Sequence, residues 1–152
     1  QAEGLRIWDQ ATRYYSVLKK NGLNVDVVPL AADLNQYRLV IAPSWHILTT
    51  EDAARFTEYV RQGGTLILSP RSGVKNEVNA CREDALPSLL CELAGIEVED
   101  YDPLGKDENT VRTVSGKEYT VTAWADALSL QGAEAIAHYA DSIYPGSPNV
   151  PK

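Results

Sequence analysis

Two short stretches carry the side chains best suited to chemistry. Pro43-Ser44-Trp45-His46 sets an indole beside an imidazole, and Pro70-Arg71-Ser72-Gly73 is followed closely by Lys75. Trp45 and His46 suit a ligand platform or an acid/base site, since an imidazole exchanges protons near neutral pH. A lone histidine with no partnered nucleophile is weak evidence for catalysis, however. A Trp45 packed at a loop or subunit contact beside a surface His46 is the plainer account. Arg71 and Lys75 suit an anion. The competing account is a solvated loop with ion pairs to Glu77 and Glu83, because exposed pairs are common and weak.

Other chemistries find little support. Cys81 and Cys91 lie at no strand-to-helix turn, and no G-x-S-x-G or G-x-C-x-G elbow is present. No G-x-G-x-x-G or phosphate loop occurs. Glu97, Glu99, Asp100 and Asp102 form a run of carboxylates, but they sit along one alternating strand and its exit, which reads as a solvated face. A glycosidase pair must instead face one sugar from two sides. The cysteines and the two histidines, His46 and His138, are not spaced as metal ligands, so neither a metal nor a cofactor is expected. The two thiols are expected to stay reduced. No catalytic residue is assigned.

The elements that would hold the two loops can be read from apolar runs and their stops. Gly63-Gly64-Thr65-Leu66-Ile67-Leu68-Ser69-Pro70 reads as the end of a helix followed by a strand. Its continuous Leu66-Ile67-Leu68 suits a strand covered on both faces, and Pro70 cannot extend the ladder. Leu39-Val40-Ile41-Ala42, then Pro43, is a second strand of the same kind, and a helix capped at Thr49 or Thr50 joins the two. Val25-Asp26-Val27-Val28, ended by Pro29, reads as another strand. An earlier helix is expected from Asp9 to about Asn21, with Ala11, Tyr14, Tyr15 and Leu18 on one face.

Further along, residues 71–85 form a long polar loop. A short helix carries Leu86, Leu89, Leu90 and Leu93 and is closed by Gly95. Ile96 to Tyr101 alternates as a half-exposed strand. Residues 103–109 read as a linker, and Val111 to Val114 and Tyr119 to Ala123 as strands around a turn; Ala133 to Ala140 suits either a strand or a helix, and a strand is expected because it continues this β region. Residues 142–152 read as a tail. The fold expected from this series is α/β: a doubly wound parallel sheet with helices on both faces, plus a C-terminal β-rich segment. One domain is expected over 1–152, with its core at about 9–102, the β-rich extension at 103–141 and the tail beyond. Ligands of such sheets bind at the carboxyl ends of the strands, where both loops fall.

Bulk properties narrow the class. The chain has 152 residues, 44% hydrophobic and 23% charged, within the range of a globular domain. A formal charge of −7 argues against nucleic acid or an anionic membrane as partner. No stretch approaches the roughly 20 apolar residues of a membrane span. A cytoplasmic location is expected.

Taken in order, several segments resemble a known family. Val25-Asp26-Val27-Val28 is followed by Tyr37-Arg38-Leu39-Val40-Ile41-Ala42-Pro43, then by Tyr59-Val60 and Gly63-Gly64-Thr65-Leu66. Next come Arg71-Ser72-Gly73-Val74-Lys75-Asn76-Glu77, Leu93-Ala94-Gly95-Ile96 and Glu99-Asp100-Tyr101-Asp102, and later Trp124-Ala125-Asp126 and Tyr139-Ala140-Asp141-Ser142-Ile143-Tyr144. The combination resembles the middle domain of glycoside hydrolase family 42 β-galactosidases. The resemblance implies a flavodoxin-like fold, akin to class I glutamine amidotransferases, and a role in trimerisation. It implies that the catalytic glutamates belong to a preceding (β/α)8 barrel of a longer polypeptide, so this chain would be a fragment, inactive alone. The implied partners are sister copies in a homotrimer and the barrel itself. Leu5-Arg6-Ile7-Trp8 is all that remains of an apolar first strand the family carries before the helix. Two other functions stay open: a carbohydrate- or anion-binding module using Trp45, His46, Arg71 and Lys75, and an amidotransferase-like enzyme.

Overall fold

The computed structural model describes residues 6–104 and 108–140. These divide into two compact units, one spanning Arg6–Arg82 and the other beginning at Glu83.

In the N-terminal unit, α1 (Ile7–Lys20) begins two residues before Asp9, with Arg6 as a cap that makes no side-chain bond. Asp9 falls in the first turn and Lys19 and Lys20 in the last, complementing the helix dipole at both ends. The Leu23 N–H reaches back to the Leu18 carbonyl at 3.1 Å and closes the helix. After a 3-10 turn at Leu34–Gln36 come β1 (Leu39–Ala42), α2 (Thr50–Arg61) and β2 (Thr65–Leu68). Thr49 caps α2 in a capping box: its hydroxyl accepts from the Asp52 N–H at 3.0 Å, and the Asp52 carboxylate accepts from the Thr49 N–H at 3.2 Å. The strands β1 and β2 are parallel and in register from Leu39 opposite Thr65 to Ala42 opposite Leu68. The buried side chains of α2 are Ala53, Phe56 and Tyr59, three apart along one face. Gly64 is required because a Cβ there would overlap the Tyr59 ring, whose one hydroxyl proton is shared between the carbonyls of Tyr37 at 3.1 Å and Thr65 at 3.3 Å.

In the C-terminal unit, a 3-10 turn at Ser88–Leu90 runs into α3 (Cys91–Ala94), where a single short helix was expected. Then follow β3 (Ile96–Asp102), β4 (Asn109–Thr113), β5 (Glu118–Val121), β6 (Ala125–Leu130) and β7 (Ala137–Tyr139). β3 pairs with β6, and β4 lies between β5 and β7; all three pairings are antiparallel. The core of this unit holds Leu90, Leu104, Trp124, Ala125 and Ala127. The Trp124 indole N–H donates to Asp126 at 2.6 Å, and its ring stacks on Tyr101 at 5.2 Å.

This architecture corrects the expected fold class. The described residues form no doubly wound parallel sheet with helices on both faces, neither flavodoxin-like nor amidotransferase-like. Among the described residues the one parallel pairing between strands is β1 with β2, and the other sheets are small and antiparallel. Two physical reasons stand out. The apolar runs of β1 and β2 are not covered on both sides: Leu39, Thr65 and Ile67 are exposed, so a continuous hydrophobic run was not a doubly buried strand. Val25-Asp26-Val27-Val28 forms no strand, and Val27 is 83% exposed. Local β propensity without a pairing partner does not make a ladder. The expected tail at 142–152 and part of the expected linker lie outside the described residues.

Candidate functional site

The ends of β1 and β2 run into loops that are tied together by small polar side chains. The Ser44 N–H donates to the Ser69 hydroxyl at 2.6 Å, and the Ser44 hydroxyl donates to the Pro70 carbonyl at 3.0 Å. The Ser72 hydroxyl donates to the Ser69 carbonyl at 2.8 Å and accepts from the Trp45 N–H at 3.3 Å. Gln10 on α1 clamps both loops with one amide: its nitrogen donates to the Ser44 hydroxyl at 3.0 Å, and its oxygen accepts from the Ser69 hydroxyl at 2.8 Å. Ser44, Ser69 and Ser72 are all buried, so this network satisfies groups that would otherwise be costly. Ser44 and Arg71 hold φ of 41° and 65°, left-handed values that a side chain resists and that the network offsets.

Beyond these serines the two loops continue side by side. The Gly73 N–H donates to the Trp45 carbonyl, the Lys75 N–H to the His46 carbonyl and the Leu48 N–H to the Lys75 carbonyl, each at 2.9 Å. This short parallel contact brings His46, Arg71 and Lys75 together. His46 is half-buried and hydrogen-bonded to the Arg71 backbone. Its burial pushes the imidazole below its usual range, and the charges of Arg71 and Lys75 push the same way, against that backbone bond. Lys75 also donates through Nζ to Asn79 at 2.9 Å. The arrangement is a basic cluster on a rigid base. Its charges are complementary to a carboxylate or another anion.

Trp45 is placed differently. Its indole N–H donates to Asp52 at 3.3 Å, and its ring stands edge-on to Phe56 at 5.5 Å, so it fastens the loop to α2. Glu97, Glu99, Asp100 and Asp102 lie on β3, where a register shift between Val98 and Asp100 leaves Glu99 and Asp100 both exposed. Among the described residues, no group of three or more His, Cys, Asp or Glu side chains is placed to hold a metal ion. Nor is any described helix long and apolar enough to cross a membrane.

Both cysteines are free thiols. Cys81 is exposed, whereas Cys91 donates to the Ala85 carbonyl at 3.2 Å, and burial with the nearby Glu97 raises its pKa. Cys81 is therefore expected to react first with a thiol-specific disulfide reagent at pH 8. Equal labelling rates for Cys81→Ser and Cys91→Ser variants would contradict this.

Sequence reasoning placed Ser44 and Ser72 in the two loops but gave no role to them, to Ser69 or to Gln10, which together set the loop geometry. The available signal was a serine beside a proline at the end of each strand, Pro43-Ser44 and Ser69-Pro70.

Comparison with known proteins places the chain. Residues 1–152 match the profile of the β-galactosidase trimerisation domain. The chain is 37% identical over 144 residues to β-galactosidase BgaA of Clostridium cellulovorans, covering 95% of this chain and 22% of that protein. It is 33% identical over 155 residues to β-galactosidase Bga of Halorubrum lacusprofundi, covering 94% and 22%. Among solved structures, the β-galactosidase from the Antarctic haloarchaeon Halorubrum lacusprofundi superposes with a TM-score of 0.88 at 34% identity, covering 99% of this chain and 22% of that one. The β-galactosidase from Rahnella sp. R3 gives 0.86 at 30% identity, covering 92% and 22%. The chain thus spans about a fifth of the length of the curated relatives it matches. With its whole length matched by that profile and its fold shared with these enzymes, the chain belongs to the β-galactosidase trimerisation domain family.

Proposed function

We propose that this chain is a non-catalytic assembly domain that joins copies of a larger β-galactosidase into a homotrimer, while hydrolysis of terminal β-D-galactosides is carried out by a barrel elsewhere in the longer polypeptide. The family match along the whole chain carries this reading. The strand-exit loops with Trp45, His46, Arg71 and Lys75 are the candidate contact or ligand surface, and the parent enzyme works in the cytoplasm. The exposed apolar residues of α1, Ile7, Trp8, Tyr15 and Val17, support a surface meant to be covered, since burying such side chains drives association.

The test is molecular mass by light scattering across a concentration series. A mass rising toward three times 16.7 kDa is expected. A mass that stays at one chain at the highest concentration reached would overturn the reading. The same pure chain is expected to release no nitrophenol from a nitrophenyl β-galactoside, and sustained release would contradict a non-catalytic role.

A further inference from the structure

Charge is distributed unevenly between the two units. Residues 6–82 carry ten Lys and Arg against seven Asp and Glu, whereas the rest of the chain carries four against fourteen. A chain that is acidic as a whole therefore contains a unit of net positive charge, and His46, Arg71 and Lys75 gather at that unit's strand-exit loops. The other unit presents an acidic strand whose bulge leaves Glu99 and Asp100, consecutive carboxylates, exposed together. Neither residue forms an ion pair with a described residue.

A ring of three copies needs a head-to-tail interface, in which one patch meets a different patch on the next copy. Segregated charge supplies two unlike patches. Complementary charges speed encounter and fix which faces meet, and like faces repel. We propose that the basic strand-exit loops of one copy, with the charges of Arg71 and Lys75 beside a neutral His46, dock onto the acidic β3 bulge of a second copy, with Glu99 and Asp100. This rests on the assembly reading above and names the surfaces it uses. The occupant is a carboxylate-bearing face of this same chain, held at its position by β3. The serine network keeps the basic loops rigid before docking, so little ordering is needed on binding.

The experiment follows mass and the apparent dissociation constant of the 152-residue chain by sedimentation as sodium chloride is raised from about 20 mM to about 500 mM, a range over which the screening length shortens severalfold. Assembly is expected to weaken at least tenfold across the series. The double variants Arg71→Glu with Lys75→Glu, and Glu99→Lys with Asp100→Lys, are each expected to weaken assembly by a similar factor at low salt. The chain carrying all four substitutions restores opposite charge across the contact and is expected to recover most of the wild-type mass. Recovery would not follow if these residues only supported the fold of their own copy. Circular dichroism checks that each variant is folded. The salt series on the unaltered chain needs no variant, so it tests the idea even if one misfolds. Assembly that is insensitive to salt and to the reversals would overturn this contact and leave the assembly reading standing. A chain that stays monomeric throughout would overturn both.

Discussion

Replacing Phe56 by Ala is expected to destabilise the chain by about 3–5 kcal/mol, the range for emptying a buried aromatic site. Phe56 is 1% exposed and lies on the buried face of α2 between Ala53 and Tyr59. Its loss leaves a cavity on the buried face of α2 and removes the edge-on contact with Trp45. Trp45 would keep its hydrogen bond to Asp52, whose carboxylate also accepts from the Thr49 N–H in the capping box. The effect therefore reaches the strand-exit loops as well as the core. Urea titration should show a lower midpoint with an unchanged slope, and the thermal midpoint should fall by on the order of 10 °C. Phe56→Leu refills most of the volume and is expected to cost about 1 kcal/mol. Wild type and variants must be compared at one protein concentration, because self-association stabilises the folded state by mass action. A Phe56→Ala chain with the wild-type midpoint would show that this ring is not the centre of its unit.

The parts of this fold legible in the sequence are those fixed by neighbours along the chain. Thr49 and Asp52 announce the start of α2, Pro43 and Pro70 follow the ends of β1 and β2, and Gly95 closes the short helix before β3. What stayed hidden is what distant residues decide. Strand pairing is one case: Val25-Asp26-Val27-Val28 has a strand's composition and no ladder. β6 is another. Its buried positions are Ala125 and Ala127, small residues of low β propensity, so the alternation that marks a half-buried strand is faint. For the candidate site, the individual residues His46, Arg71 and Lys75 were legible as basic groups near strand ends. Their convergence depends on the pairing of residues 45–48 with 73–75, which no local pattern encodes. Gln10 shows the same limit, since it meets Ser69 from fifty-nine positions away.

Gly95→Ala is expected to cost about 2–5 kcal/mol in all, from two separate causes that a paired substitution can divide. Gly95 ends α3 with φ of 65°, and a side chain in that left-handed conformation costs roughly 1–2 kcal/mol. A Cβ at Gly95 would also lie 2.9 Å from the Ala133 backbone nitrogen and 3.3 Å from its Cβ. That backbone cannot swing away freely, because the N–H groups of Gln131 and Ala133 both donate to the Gly95 carbonyl, at 2.7 and 3.2 Å. The steric share adds the cost of overpacking, roughly 1–3 kcal/mol. Gly22 is the control. It follows α1 with φ of 74°, and nothing stands within 4 Å of where its Cβ would be. Gly22→Ala therefore carries the conformational cost alone, about 1–2 kcal/mol. Gly95→Asn, a residue that tolerates the left-handed region, should recover little of the loss, because it keeps the Cβ that meets Ala133. Equal destabilisation by Gly22→Ala and Gly95→Ala in urea titration would mean that residues 131–133 yield without cost, and the link they make between the end of α3 and the end of β6 would then not be a rigid one.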